Sequence, residues 1–308
     1  MSTLGITLRQ LQIFVAVAQT GSTAAAAAEI ALSQSATSAA LNELEGQLGL
    51  RLFDRVGKRL LLNSNGRTLM PKALALLDGA QAIESWARDT DGQVGALRIG
   101  ASTTIGNYLL PQLLATFRAQ LPASAQAHWQ AAVTIANTAA ITTAVAAFEL
   151  DIGLIEGPCQ EPALTVTPWM EDELVIVCAP VELPRLLAGA ATVSLDTLRE
   201  ETWLLREAGS GTREIINQAL IPHLHRLRAG IEFGNSEAIK RAAAHSLGIT
   251  CLSRYVVADM VATGALVAVP TVLPRLSRHL HIVMHRDKSP TLGLARFFDW
   301  LTGHATAD

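Results

Sequence analysis

The sequence is poor in several things, and each shortage excludes a class of protein. It holds three cysteines, Cys159, Cys178 and Cys251, far apart and without metal-ligand spacing. That excludes a disulfide framework and fits reduced thiols in a protein expected in the cytoplasm. Cys159, after Gly157-Pro158, is the one candidate for a sensing thiol. Aromatic residues are only 5% of the chain, too few to cover a large apolar ligand. Charge of one sign is missing too: the formal net charge is −3, so any nucleic-acid contact must be local. No apolar run reaches about 18 residues without a charge, and Glu149 and Asp151 interrupt the best one, so no membrane span is expected. The N-terminus has neither a basic run nor an apolar h-region, so no signal peptide is expected.

A reactive set is also lacking. Gly209-Ser210-Gly211-Thr212 has no P-loop lysine. Ser102 has no assignable His/Asp partners, and His279 and His281 have no acid nearby in sequence. The expectation is a protein that is not an enzyme and has no cofactor and no metal. What remains is 308 residues, half of them apolar, enough for two or three domains.

The chain opens with helical periodicity. Leu8, Leu11, Phe14 and Ala18 predict an amphipathic helix from Thr7 to Gln19, ended by Gly21. Ser22 caps an alanine-rich helix, Thr23 to Ile30. After a turn at Leu32–Ser35, a third helix runs to Leu48, with Ala36, Ala40, Leu41, Leu44 and Leu48 as its expected buried stripe. Two short helices joined by a tight turn make a helix-turn-helix. The second is expected to turn Gln34, Ser35, Thr37, Ser38 and Asn42 outward, where such side chains read base edges and phosphates. Ser22, Thr23 and Ser33 at the helix starts complete the candidate DNA-binding face. Residues 51–62 predict a two-stranded wing with Lys58 and Arg59 at its tip, toward the phosphate backbone. Residues 1–72 carry seven Lys/Arg against four acids, a local excess in an acidic chain. The bland alternative is a three-helix packing domain with a polar surface.

From residue 64 to 92, Leu69, Leu76 and Ile83 fall on one heptad line and Ala73, Ala80 and Ala87 on the next. That pattern predicts a helix that pairs with a second copy, with Ser64 as its cap and Pro71 bending its first turns or delaying its start. Asp89 to Gly95 reads as a hinge.

From residue 93 onward strands and helices alternate, which predicts parallel sheets. Strands are expected at Val94–Gly100, Ala127–Ile135, Leu150–Ile155, Glu173–Ala179 and His279–His285, among others. Pro162 to Pro168 reads as a crossover into a second lobe, and Gly264 to Pro270 as the return. The fold class is therefore α/β with an N-terminal all-α winged helix-turn-helix, the effector part being two-lobed and periplasmic-binding-protein-like. The expected division is 1–63, 64–92 and 93–308, with lobe I at 93–164 and 269–308 and lobe II at 165–268. Ligands in open α/β sheets sit at the C-terminal ends of strands. The candidate ligand residues are therefore Ser102, Thr103 and Thr104; Asn137 and Thr138; Glu156; Gly209, Ser210 and Thr212; and Asn235 and Ser236. Hydroxyls and free N–H groups at helix starts suit a small anion. Glu156 would repel one unless protonated or paired, with Arg213 the candidate partner.

The run Leu11-x-x-Phe14-x-x-Val17, Gly21-Ser22, Leu32-Ser33-Gln34-Ser35-Ala36-x-Ser38, Leu44-Glu45-x-x-Leu48-Gly49-x-x-Leu52-Phe53-x-Arg55 resembles the N-terminal domain of the LysR-type transcriptional regulators, without a gap. It departs from that pattern at Thr23 (usually aromatic), Ala39 (often basic) and Asn63 (usually Thr). The loss of a basic residue at 39 should weaken phosphate affinity or alter sequence preference. Residues 93–301 resemble the co-inducer domain of the same family, through Ile99 to Gly106, Asp151-Ile152-Gly153, Ser210 to Glu214 and Leu247-Gly248-Ile249. Ile155 to Cys159, Gly209 to Glu214 and Gly234 to Lys240 resemble its YeiE- and CysL-like branch, which is associated with sulfur metabolism. The resemblance implies a homodimer, with dimers pairing into a tetramer, on a two-fold symmetric site in double-stranded DNA. It further implies a small anionic effector, sulfite or a related sulfur oxyanion. The alternative is a small-solute receptor or carrier with no regulatory output.

Overall fold

The computed structural model describes residues 5–57, 59–88 and 96–304. The expected hinge at Asp89–Gly95, Lys58 at the wing tip and the side chain of Ala87 lie outside the described residues. The chain divides into two compact units, residues 1–90 with 287–291, and residues 91–286 with 292–308.

In the first unit, helix α1 (Leu8–Thr20) starts with a capping box. The Gln10 amide N–H donates to Thr7 Oγ1 at 3.2 Å, and Gln10 Oε1 accepts from the Thr7 amide at 2.8 Å. Gly21 ends the helix at φ 72°, a left-handed position that suits glycine. Ser22 caps α2 (Thr23–Glu29), and Ser33 caps α3 (Gln34–Leu48). Leu11, Phe14, Val17, Ala26, Leu41, Leu44 and Leu52 fill the core between them. Strands β1 (Phe53–Val56) and β2 (Arg59–Leu62) pair antiparallel as the wing, and the Leu60 amide donates to Gly21 O at 2.8 Å, tying the wing to the first turn. Helix α4 (Ser64–Arg88) follows and runs through Pro71. Its cap is Asn63 rather than Ser64: Asn63 Oδ1 accepts from the Gly66 amide at 3.0 Å. Asn and Thr are both capping residues, so this departure from the family pattern keeps the local structure.

The second unit is built on a seven-stranded sheet. After β3 (Leu97–Ser102) comes a π-turn at Ile105–Leu109 and then α5 (Leu110–Ala119). β4 (Ala131–Ala136) is the strand expected at Ala127–Ile135, its start taken by the end of α6 (Ala123–His128). α7 (Thr138–Ala146), β5 (Ile152–Glu156) and β6 (Leu164–Cys178) follow. Next come α8 (Leu183–Leu187), α9 (Leu195–Glu200), β7 (Thr202–Arg206) and α10 (Gly211–Leu224). The remainder is β8 (Arg228–Phe233), α11 (Ser236–Ala244), β9 (Thr250–Ser253), α12 (Arg254–Ala262), β10 (Val267–Ala268), β11 (Leu276–His285) and α13 (Leu292–His304). The sheet order is β10-β6-β11-β5-β3-β4, with β9 also on β6, while β7 and β8 form a separate parallel pair.

The expected parallel pairing holds for β4-β3-β5 and for β7-β8, but the middle of the sheet is antiparallel, because β6 and β11 run through both lobes. β6 is one 15-residue strand instead of a crossover followed by a shorter strand. Pro168 is accommodated inside it at a bulge in β6 itself: Leu280 and His281, consecutive on β11, face Met170 and Pro168, which leaves Trp169 as the extra residue. Residues 264–270 do not return to lobe I. Val267 pairs with Cys178, and Val269 packs in the second-lobe core with Leu174 and Trp203. The return is made by β11. The first-lobe core contains Ile99, Phe117, Ile152, Leu280 and Phe297.

Candidate functional site

The DNA-reading candidate is the start and outer face of α3. Gln34, Ser35 and Asn42 are exposed and Ser38 is half-buried. Thr37 is a correction: it is fully buried, and its hydroxyl donates to Ser33 O at 3.1 Å. Leu41 and Leu44 are buried and Ala40 and Leu48 pack against the core as expected, so the stripe differs only in part. Thr37, Leu41, Leu44 and Glu45 are its buried residues, and Ala36 is exposed. Glu45 belongs inside because its carboxylate accepts from the Leu52 amide at 2.8 Å and meets Arg51 at 2.7 Å. Gln34 Nε2 donates to Thr23 Oγ1 at 3.3 Å, while Ser33 and Ser35 share a 3.0 Å hydroxyl contact. Those bonds join the starts of α2 and α3 into one polar ridge, on which Ser22 is committed to capping. Arg9, Arg51, Arg55, Arg59, Arg67 and Lys72 are all exposed in this unit.

The ligand candidate lies between the two lobes of the second unit. Four strands end there: β3 at Ser102, β5 at Glu156, β7 at Arg206 and β9 at Ser253. The helix starts of α10 and α11 bring Thr212 and Ser236, both buried. The backbones meet closely. A Cβ on Gly211 would overlap the carbonyl oxygen of Glu156, and the Ala139 amide donates to Gly209 O at 3.2 Å.

Two arginines, neither among the expected site residues, organise this cleft. Arg278, on β11, is fully buried. Its guanidinium meets Glu156 at 2.5 Å and Asp172 at 2.8 Å, and donates to Thr212 Oγ1 at 2.9 Å and Thr104 Oγ1 at 3.3 Å. Arg206, equally buried, donates to Thr103 Oγ1 at 2.6 Å and Ser236 Oγ at 3.2 Å, and grips Glu207 through two bonds of 2.7 and 2.8 Å. Glu156 is therefore paired with Arg278, not Arg213. Arg213 instead donates to Arg206 O at 2.8 Å. Glu156 also occupies the helix start expected to hold an anion, taking the Thr104 amide at 3.5 Å.

Burial pushes the Asp172 carboxyl above its ordinary range, against the pull of Arg278 and of the Ser253 hydroxyl at 2.7 Å. Burial also pushes Glu207 up, but the hydrogen bonds and charge of Arg206, a backbone hydrogen bond and Asn137 together outweigh it, and the group ends below its ordinary value. The two guanidiniums thus face three carboxylates, Glu156, Asp172 and Glu207.

The structure brings Ser102, Thr103, Thr104, Thr138, Glu156, Ser210, Thr212 and Ser236 into the buried zone. Ser102 Oγ is fully buried with no hydrogen-bond partner among the described residues. Thr138 Oγ1 donates to Glu156 O at 2.8 Å. Asn137 caps α7 and reaches Glu207 at 3.3 Å. Gly209 stays exposed but lines the rim, where its carbonyl takes the Ala139 amide, whereas Asn235 is exposed and spent capping α11. Arg206 is visible in the sequence as the last residue of an apolar strand. Arg278 has a signal too, since it alternates with Leu280 and Ile282 on an otherwise apolar face. A cavity of about 260 Å³ at the rim touches Thr138, Pro158, Cys159 and Gly211.

Comparison with known proteins agrees with both units. Residues 8–67 match the family model for the bacterial regulatory helix-turn-helix protein, lysR family, and residues 90–306 match the LysR substrate binding domain. The chain is 48% identical over 295 residues to the HTH-type transcriptional regulator YeiE of Escherichia coli K12, covering 96% of this chain and 97% of that one. It is 34% identical to the HTH-type transcriptional regulator CysL of Bacillus subtilis, over 80% of each. A full-length OxyR variant from Pseudomonas aeruginosa shares the fold at a TM-score of 0.72 and 23% identity, over 98% of this chain and 95% of that one. Among the described residues, no single helix is long and apolar enough to cross a membrane. The winged head, the two-lobed cleft and these matches together establish that the chain belongs to the LysR family of DNA-binding transcriptional regulators with an effector-binding domain, and is not an enzyme.

Proposed function

We propose that this regulator senses a small oxyanion, sulfite or a related sulfur oxyanion, in the cleft between its effector lobes. The observation that carries the reading is the convergence of the buried guanidiniums of Arg206 and Arg278 on Thr103 and Thr104 at the end of β3. Guanidinium groups are suited to oxyanions because their planar donors match the oxygen geometry. Ser102 adds a buried hydroxyl without a partner among the described residues. The likeness to YeiE and CysL supports a sulfur oxyanion over other small anions. Residues 1–63 serve as the DNA-binding domain, 64–92 as the dimer helix and 93–308 as the sensor, whose two lobes are joined by β6 and β11.

The DNA face comprises Gln34, Ser35, Ser38 and Asn42 for bases, with Ser22, Thr23, Ser33, Lys58 and Arg59 around them. Pairing through α4 is supported by Leu76 and Ile83, 54% and 68% exposed on one heptad line, while Ala73 on the other line is buried in its own unit. A homodimer would set two reading helices on a two-fold site. The test is a gel shift on the gene's own upstream DNA across a salt series, with and without sulfite. Binding that weakens with salt and shifts with sulfite supports the reading. Complete insensitivity to sulfite, sulfate and thiosulfate, in gel shift and in calorimetry, contradicts the effector class.

A further inference from the structure

We propose that the cleft takes its anion together with one proton, which comes from solvent and ends on the Glu156–Asp172 carboxylate pair. The ligand class is then an oxyanion plus H⁺, and effector affinity is tied to pH. The inference rests on the oxyanion reading of the cleft and adds to it the charge state in which the anion is held.

The geometry points this way by charge count. Arg206 is already satisfied by Glu207 through two hydrogen bonds. Arg278 alone serves two carboxylates, Glu156 and Asp172, and all three side chains are 0–2% exposed. An anion that draws donors from Arg278 leaves a carboxylate without its partner and without water. A buried, uncompensated charge costs several kcal/mol, whereas protonation removes it. In the balance, guanidinium N–H bonds pass from a carboxylate oxygen to the anion, and that carboxylate gains an O–H from a solvent proton. The burial that pushes the Asp172 carboxyl up already favours its neutral form.

The groups facing the pair come from every neighbouring element. Arg278 stands on β11, the Thr104 amide and hydroxyl at the helix start after β3, Thr212 at the start of α10, and Ser253 on β9. Cys251, also on β9, has its thiol pushed up to about 12, chiefly by burial, so it stays neutral. His281 on β11 has its pKa lowered by burial and by His279, against the pull of the Gly157 backbone, and neither carboxylate contributes. Among the described residues, no lysine or histidine hydrogen-bonds to Glu156 or Asp172. The proton therefore goes to one of the two carboxylates that share Arg278.

The experiment is calorimetric titration of the full chain with sodium sulfate and with sodium sulfite. It is run in Tris and in imidazole, cationic buffers of different ionisation enthalpy, across a pH series. Sulfate carries no proton near neutrality, so uptake on sulfate binding belongs to the protein. The expected result is uptake of about one proton per anion, with affinity falling about tenfold per pH unit above neutrality. Glu156→Gln and Asp172→Asn each leave one carboxylate per guanidinium. Both should bind with little uptake and with a flatter pH dependence. Binding whose heat is the same in both buffers overturns the proposal and leaves the oxyanion reading standing. If only sulfite binds, uptake unchanged in both variants assigns the proton to sulfite itself and overturns the proposal. Binding of neither anion, with promoter affinity also unresponsive to them, removes the oxyanion reading and this proposal with it.

Discussion

The reading head and the cleft handle charge in opposite ways. In the head, six described basic residues stand exposed, and the α3 side chains offered to DNA come from one short stretch. In the cleft, Arg206, Arg278, Glu156 and Asp172 are each buried to 3% exposure or less, and they come from β7, β11, β5 and β6. An exposed cation costs little to keep and gives salt-dependent attraction to phosphate. A buried one must be matched by partners, and it becomes a site only when the lobes assemble around it. Each function is therefore sensitive in a different place: the head to single contacts, the cleft to its pairings.

Substitutions test that contrast, the largest effect falling in the cleft. Arg278→Ala leaves Glu156 and Asp172 buried without a counter-ion. It should destabilise the chain by about 3–5 kcal/mol in urea denaturation. A loss no larger than that of an ordinary surface change would mean the cluster is not charged as described. Gln34→Ala acts on the head. It should weaken specific promoter binding by about 1–3 kcal/mol and leave stability within about 0.5 kcal/mol, read by gel shift and thermal melting. Arg59→Ala is milder still. It should lower promoter affinity evenly across sequences and reduce the salt slope by about one, with no measurable change in the melt.

The same contrast explains what is legible in the sequence. The head is legible because its signals are local. Thr7, Ser22 and Ser33 cap the helices they precede, Gly21 and Gly49 end them, and the apolar spacing fixes the faces. Its misplacements on α3 are Ala36, exposed, and Thr37 and Glu45, buried: the Thr37 hydroxyl satisfies itself on Ser33 O and the Glu45 carboxylate on the Leu52 amide, so both tolerate burial. In the cleft, the strand-end hydroxyls are legible for the same local reason. The partners are not. Arg278 lies 122 residues from Glu156 and 106 from Asp172, and only the long antiparallel pairing of β11 with β5 and β6 brings them together. That pairing is itself obscured by Pro168, which reads as a break until the bulge at Trp169 on β6 absorbs it.

If the buried arginines of the cleft, and not the exposed ones of the head, receive the effector, the two affinities must separate on a single substitution. Titration of sulfite into Arg206→Gln beside the unaltered chain, with promoter affinity measured on both, decides the matter. The substitution should remove most of the sulfite affinity while the salt-dependent affinity for promoter DNA in the absence of sulfite is retained. Unchanged sulfite affinity would contradict the assignment of the cleft. An equal loss of both affinities in a folded protein would contradict the division between reader and sensor.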